Sequence, residues 1–271
     1  MAKRYDKKQR AARIMREQRQ REQRRKQLLT GGAIVAVLLV VLGIVAAVLY
    51  LDQTEEVIPP QAEHTDSAIV LGDGPVTVDL YEDFMCPICE YFHSTTSQDL
   101  QDMVDNGQIT LNVHPIAILD GASEGTRYST RSASAAVCAA DEGQFSEYTA
   151  ALFANQPAEH TAGLDDDELT ALGTDLGLGS SFSDCIAEKT YRGWVQQATD
   201  TAADNGVTAT PTVFVNGNKV EVPPNQGIDA VITQFQTDLT QALEEAGAQP
   251  DEDEAADETG EDSPAEEDTQ D

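Results

Sequence analysis

The chain has 271 residues, 40% of them hydrophobic, and a formal net charge of −31 at neutral pH. That is enough apolar material for a core over most of the length and for one or two domains. The charge is unevenly spread, and the basic N-terminal run reads as a topology signal rather than a nucleic-acid arm or an anionic-lipid patch, so no nucleic-acid partner is expected. Residues 1–27 hold 12 of the 17 Lys and Arg with only three acids (Asp6, Glu17, Glu22), while the remainder carries 45 acids and 5 bases.

Leu28 to Leu51 is free of charge and, as a helix, would span roughly 36 Å, more than a bilayer core of about 30 Å. It is too long for a signal-peptide core and is expected to be one uncleaved transmembrane helix. The basic arm, 1–27, abuts its N-terminal end, which predicts a cytoplasmic N-terminus and an extracytoplasmic remainder in a single-pass cell-membrane protein. A linker over 52–67 carries Pro59-Pro60 and reads as a spacer.

From Ala68 the pattern turns globular. "AIVLG" and the alternating "GPVTVDLYEDF" predict strands, "EYFHSTTSQDLQDMVDNG" a helix ending at Asn106-Gly107, and "QITLNVHPIAI" a further strand. Strand, helix, strand in that order implies a parallel pair with a right-handed crossover. About 120–205 is helical throughout. It includes "LDDDELTALGTDLG", with acids in its first turn, and "DCIAEKTYRGWVQQATDTAADNG". "TPTVFVNGNKVEV" predicts a hairpin around Asn216-Gly217, and "GIDAVITQFQTDLTQALEEAG" a closing amphipathic helix. Residues 248–271, with twelve acids and no base, are expected to form a disordered tail.

All four cysteines, Cys86, Cys89, Cys138 and Cys185, lie on the extracytoplasmic side, where disulfides persist. "CPIC" lacks the following histidine of a haem attachment site, since Glu90 is there. Structural zinc is also disfavoured. Cys138 and Cys185 are not a second close pair, and His64, His93, His114 and His160 form no ligand cluster, so no metal or other cofactor is expected. A disulfide that only staples a turn remains open beside redox exchange. Exchange requires a helix starting at Cys86. Its free N–H groups and partial positive charge favour a thiolate. Pro87 fits a first helical turn, and Cys89, one turn on, can attack a mixed disulfide held on Cys86.

With "YEDFMCPICEYF" closing a strand and "GVTATPTVFVNG" after a helical stretch, the sequence resembles the DsbA-like branch of the thioredoxin superfamily over about Ala68 to Gly247. The resemblance implies an α/β thioredoxin fold over 68–247 with an inserted all-helical subdomain. It also implies a cis-proline at Pro211 facing the cysteines and a substrate-peptide contact at Thr210. Cys86 would be the nucleophile and Cys89 the resolving thiol, with Pro87 and Ile88 as the redox motif between them. The expected activity is protein thiol–disulfide oxidoreduction, as an oxidase that donates disulfides to exported protein thiols. A membrane quinone-linked partner of the DsbB or vitamin-K-epoxide-reductase kind would reoxidise it. The alternatives are a reductase or isomerase of the same fold, or a redox-silent peptide-binding holdase. A monomer is expected.

The sequence departs from the pattern in two places. Ile88 stands where the strongest oxidases have histidine, and Leu80 where many members have a buried acid. Asp79, Glu82 and Asp83 lie nearby instead, and as carboxylates they are expected to raise the pKa of Cys86. Cys138 and Cys185 fall on separate predicted helices and read as a structural disulfide. Its closed loop is worth about 4 kcal/mol in the chain-entropy model.

Overall fold

The computed structural model describes residues 40–43, 60–223 and 226–247. The basic arm, most of the apolar stretch 28–51, the first part of the linker and the acidic tail lie outside the described residues. Among the described residues no helix is long and apolar enough to cross a membrane.

Five strands form one mixed sheet in the order β1-β3-β2-β4-β5. They are β1 Ile69–Leu71, β2 Val76–Glu82, β3 Ile109–Pro115, β4 Thr212–Val215 and β5 Asn218–Lys219. The predicted crossover is present: α1, Pro87–Asp105, links β2 to β3, which pair in parallel from Val76↔Ile109 to Glu82↔Pro115. β4 runs antiparallel to β2, placing Thr212 opposite Tyr81 at the end of β2 that leads to the cysteines. The Asn216-Gly217 turn joins β4 to β5 with both residues at positive φ, a conformation that Asn and Gly tolerate best.

Alternation along β2 explains the two faces of the sheet. Val76, Val78 and Leu80 are buried with Ile109, Leu111 and Val113. They belong to one core with Phe92 and Leu100 of α1 and with Ile232, Phe235 and Leu239 of α7 (Ile228–Gly247). Phe92 and Phe235 meet at 5.6 Å between ring centroids. On the opposite face Tyr81, Ile116, Ala202 and Val207 form a smaller cluster.

Between β3 and β4 the chain is helical: α2 Tyr128–Ala140, α3 Phe145–Ala154, α4 Asp166–Asp175, α5 Ser180–Glu188 and α6 Arg192–Asp204. α2 is buried almost along its whole length, because its Ala and Ser side chains let the other helices pack closely around it. α4 starts with a capping box, in which the Glu168 amide donates to Asp165 and the Asp165 amide donates to Glu168 (both 2.8 Å). A disulfide joins Cys138 of α2 to Cys185 of α5 across 47 positions in sequence.

One expectation fails in detail. The stretch from Asp184 to Gly206 is not continuous helix. Lys189 adopts φ 60°, the Thr190 amide donates to the Cys185 carbonyl (3.1 Å), and the Lys189 amide donates to Ile186 (3.1 Å). This αL stop separates α5 from α6, and its usual glycine signal is missing because a lysine holds the left-handed position.

Candidate active site

β2 ends at Glu82, and the next four residues turn the chain into α1. The Asp83 carboxylate organises the turn: Oδ1 accepts from the Met85 amide (2.9 Å) and Oδ2 from the Leu119 amide (2.9 Å). The Cys86 amide donates to the Asp83 carbonyl (2.9 Å). Cys86 is the N-cap of α1 with extended backbone (φ −81°, ψ 114°), and Pro87 occupies the first helical position, where a missing N–H costs little. The Cys86 carbonyl accepts from the amides of Cys89 (3.0 Å) and Glu90 (3.2 Å), closing the first turn.

The two sulfurs are chemically unequal. The Cys86 thiol is pulled down from 9.0 to about 6. A hydrogen bond from the Cys89 thiol is the largest cause, burial opposes it, and the Thr210 side chain and the amides of Cys89 and Ile88 assist. While protonated, Cys86 donates to the Thr210 carbonyl at 3.4 Å, a contact that ionisation removes. Cys89 is pushed well above the usual thiol range, mainly by burial and then by the hydrogen bond it gives Cys86.

The structure therefore brings together Cys86, Cys89 and Thr210, and the Thr210–Pro211 peptide is cis. Pro87 and Ile88 lie exposed on the rim beside Cys86. Cys86 and Cys89 are free and buried, apart from the bonded pair Cys138 and Cys185 in the insertion. Among the described residues no group of His, Cys, Asp and Glu is placed to hold a metal ion.

The expected rise of the Cys86 pKa is not found. Burial, reinforced by repulsion from Asp83, pushes Glu82 up to about 8, and burial pushes Asp83 up to about 7. The acids thus lose much of their charge near neutrality, and the local donors prevail at the sulfur. Sequence reasoning also missed Gln156, just after α3. Its Nε2 donates to the carbonyls of both Phe84 and Cys86, each at 3.0 Å. A lone glutamine in a loop carries no sequence signal for such a contact.

A family model described as Thioredoxin matches residues 64–234, more than half of the chain. The chain belongs to the thioredoxin family. It is similar to the reduced DsbA of Mycobacterium tuberculosis, at 30% identity and a TM-score of 0.53, over 66% of this chain and 99% of that one. That likeness puts it in the DsbA-like branch. It is also 28% identical over 159 residues to disulfide bond formation protein D of Bacillus subtilis, covering 56% of this chain and 69% of that protein. It is 29% identical over 162 residues to the serine/threonine-protein kinase PknE of Mycobacterium tuberculosis, and this match spans 54% of this chain but only 29% of the kinase.

Proposed function

We propose that the chain is a protein thiol–disulfide oxidoreductase, working outside the cytoplasm from a membrane anchor and donating the Cys86–Cys89 disulfide to exported proteins. The observation that carries this reading is the inequality of the two sulfurs. One sits at a helix start with donors that favour its thiolate, and its neighbour one turn on retains its proton.

In the proposed cycle a substrate thiolate attacks Cys86 Sγ of the disulfide. The S–S bond breaks, Cys89 leaves and takes up a proton, and a mixed disulfide joins Cys86 to the substrate. A second substrate thiolate then attacks the substrate's own bridging sulfur, and Cys86 leaves as a thiolate. The substrate loses two electrons and the Cys86–Cys89 pair gains them. A low leaving-group pKa speeds the second step, which suits donation of disulfides. Thr210, whose carbonyl accepts from Cys86, and Pro211 after it are the proposed contact for the substrate peptide. A quinone-linked membrane oxidase would return the pair to the disulfide. The uncharged stretch Leu28 to Leu51 and the basic arm before it support the anchor and its orientation.

The test is reduction of insulin by dithiothreitol with and without the full chain. Acceleration that disappears in Cys86→Ser is expected. A wild-type chain that binds insulin without accelerating its reduction would make the protein a redox-silent binder.

A further inference from the structure

Gln156 lies outside the cysteine pair and the Thr210–Pro211 turn, yet it holds the loop that carries the reactive sulfur. One side-chain nitrogen has two hydrogens, and here both are used, on the carbonyls of Phe84 and Cys86. These carbonyls bracket the last step of the loop before α1. The contact has a companion: the Phe153 ring, at the end of α3, packs on Phe84 at 5.2 Å and on the His93 ring of α1 at 4.7 Å. The end of α3 therefore grips the start of α1 through a polar and an apolar contact. Gln156 is half-buried, so removing its amide leaves two carbonyls that water reaches only in part.

The Cys86 carbonyl belongs to the residue whose sulfur must carry negative charge. Its oxygen already serves two amides of α1, and the Gln156 N–H adds a third partial positive charge to it. We propose that Gln156 is a positioning residue for sulfur exchange, tying the Cys86 loop to the helical insertion and holding Cys86 ready to depart as a thiolate. This rests on the reading of Cys86 as the exchanging sulfur and names a second element, the insertion, that sets its reactivity.

The test compares Gln156→Leu, Gln156→Glu and Gln156→Lys with wild type in the reduced full chain. Two readouts are taken: the pH midpoint of Cys86 alkylation by iodoacetamide, followed on the Cys86 peptide, and the equilibrium of the pair with glutathione buffers. The hydrogen bond exists in both states of Cys86, so only its strengthening on ionisation counts, and the worth of a whole hydrogen bond, about threefold to tenfold, is the upper bound. Gln156→Leu should raise the alkylation midpoint accordingly and shift the glutathione equilibrium toward the disulfide. Gln156→Glu, the same shape with a charge facing two carbonyls, should shift both further, and part of its effect should be recovered in acid, where the carboxyl regains a proton to donate. Gln156→Lys restores a donor and should return the midpoint to the wild-type value or below. A midpoint and equilibrium equal to wild type in the Leu variant would overturn the proposal whatever the Glu variant does, since a new carboxylate repels the Cys86 thiolate by charge alone. So would equal shifts in all three variants, since lost packing does not depend on the sign of the charge. Should the Leu variant fail to fold, Gln156→Met, which keeps the length and lacks the donor and the charge, decides in its place. The titration requires no turnover, so a wild-type chain inert toward insulin would sink the proposed function while leaving this result readable.

Discussion

Reducing the Cys86–Cys89 pair should change the melting temperature by an amount that depends on pH. The Cys86 thiol titrates near 6 in the fold against an ordinary 9.0. A depressed pKa contributes stability that is fully present above the unfolded value and is lost as pH falls through the folded value. With those two values the reduced form gains about 4 kcal/mol at pH 9, about 1.4 kcal/mol at pH 7 and almost nothing at pH 5. Cys89 keeps its proton between pH 5 and pH 7 whether folded or unfolded and adds no slope there, whereas near pH 9 only the unfolded thiol ionises, which takes back part of the gain. The oxidised form has neither thiol, and whatever its disulfide contributes is the same at both pH values. The informative quantity is thus the change in the gap between the two melting temperatures. For a domain of this size about 1.4 kcal/mol corresponds to roughly 3–6 °C. Calorimetry of both forms at pH 5 and pH 7, with Cys138–Cys185 intact, should show the reduced form gaining that much on the oxidised form. Cys86→Ser, which has no oxidised form, should lack the stability that the reduced wild type gains between pH 5 and pH 7. A gap constant to within about 1 °C would refute the depressed thiolate. An oxidised form that melts higher at pH 7 would turn the assignment from oxidase to reductase.

Cys89→Ser should accumulate mixed disulfides with exported proteins through Cys86, because nothing remains to resolve them, whereas Cys86→Ser should trap almost none; equal trapping on non-reducing gels would reverse the assigned roles. Asp83→Asn keeps one acceptor oxygen for the buried Met85 amide and the part-buried Leu119 amide, and leaving one unpaired should cost about 1–3 kcal/mol. That loss should appear as a fall of several degrees in melting temperature, and an unchanged melt would show that the carboxylate does not hold the turn. Protease added to intact cells should remove the globular domain and spare the basic arm; a protected domain would sink the proposed topology.

The periodic parts of the fold were readable because burial imposes the period. Val76, Val78 and Leu80 alternate because one face of β2 meets α1 and α7, and the Asn216-Gly217 turn is written in residues that accept positive φ. The break at Lys189 was not readable, because a lysine there is held left-handed by hydrogen bonds that local sequence does not announce. In the site, the cysteine spacing and Pro87 follow local helix rules and were legible. Gln156 and Leu119 reach the loop from 70 and 36 residues away respectively, and no spacing rule predicts such a contact. The behaviour of Glu82 and Asp83 was misjudged for a related reason: sequence shows that the acids are near Cys86 but not that both are buried.

That burial reverses their effect. A solvated carboxylate three or four residues from a sulfur keeps its charge and opposes a thiolate. A buried one has its own penalty for ionising, and here burial is the largest cause at both acids. Near neutrality Glu82 therefore mostly holds its proton and Asp83 is close to its midpoint. Charge on Cys86 further favours the protonated form of Asp83, since the two repel. The cluster can place its negative charge at the sulfur, which sits at the helix start with donors of its own, and keep protons on the groups beneath it. The second departure from the pattern, Ile88, fits the same arrangement. An exposed isoleucine supplies no side-chain donor, but its amide and that of Cys89 face the sulfur. The thiolate is favoured first by the Cys89 thiol and then by Thr210 and the backbone amides, so its depression does not require histidine between the cysteines.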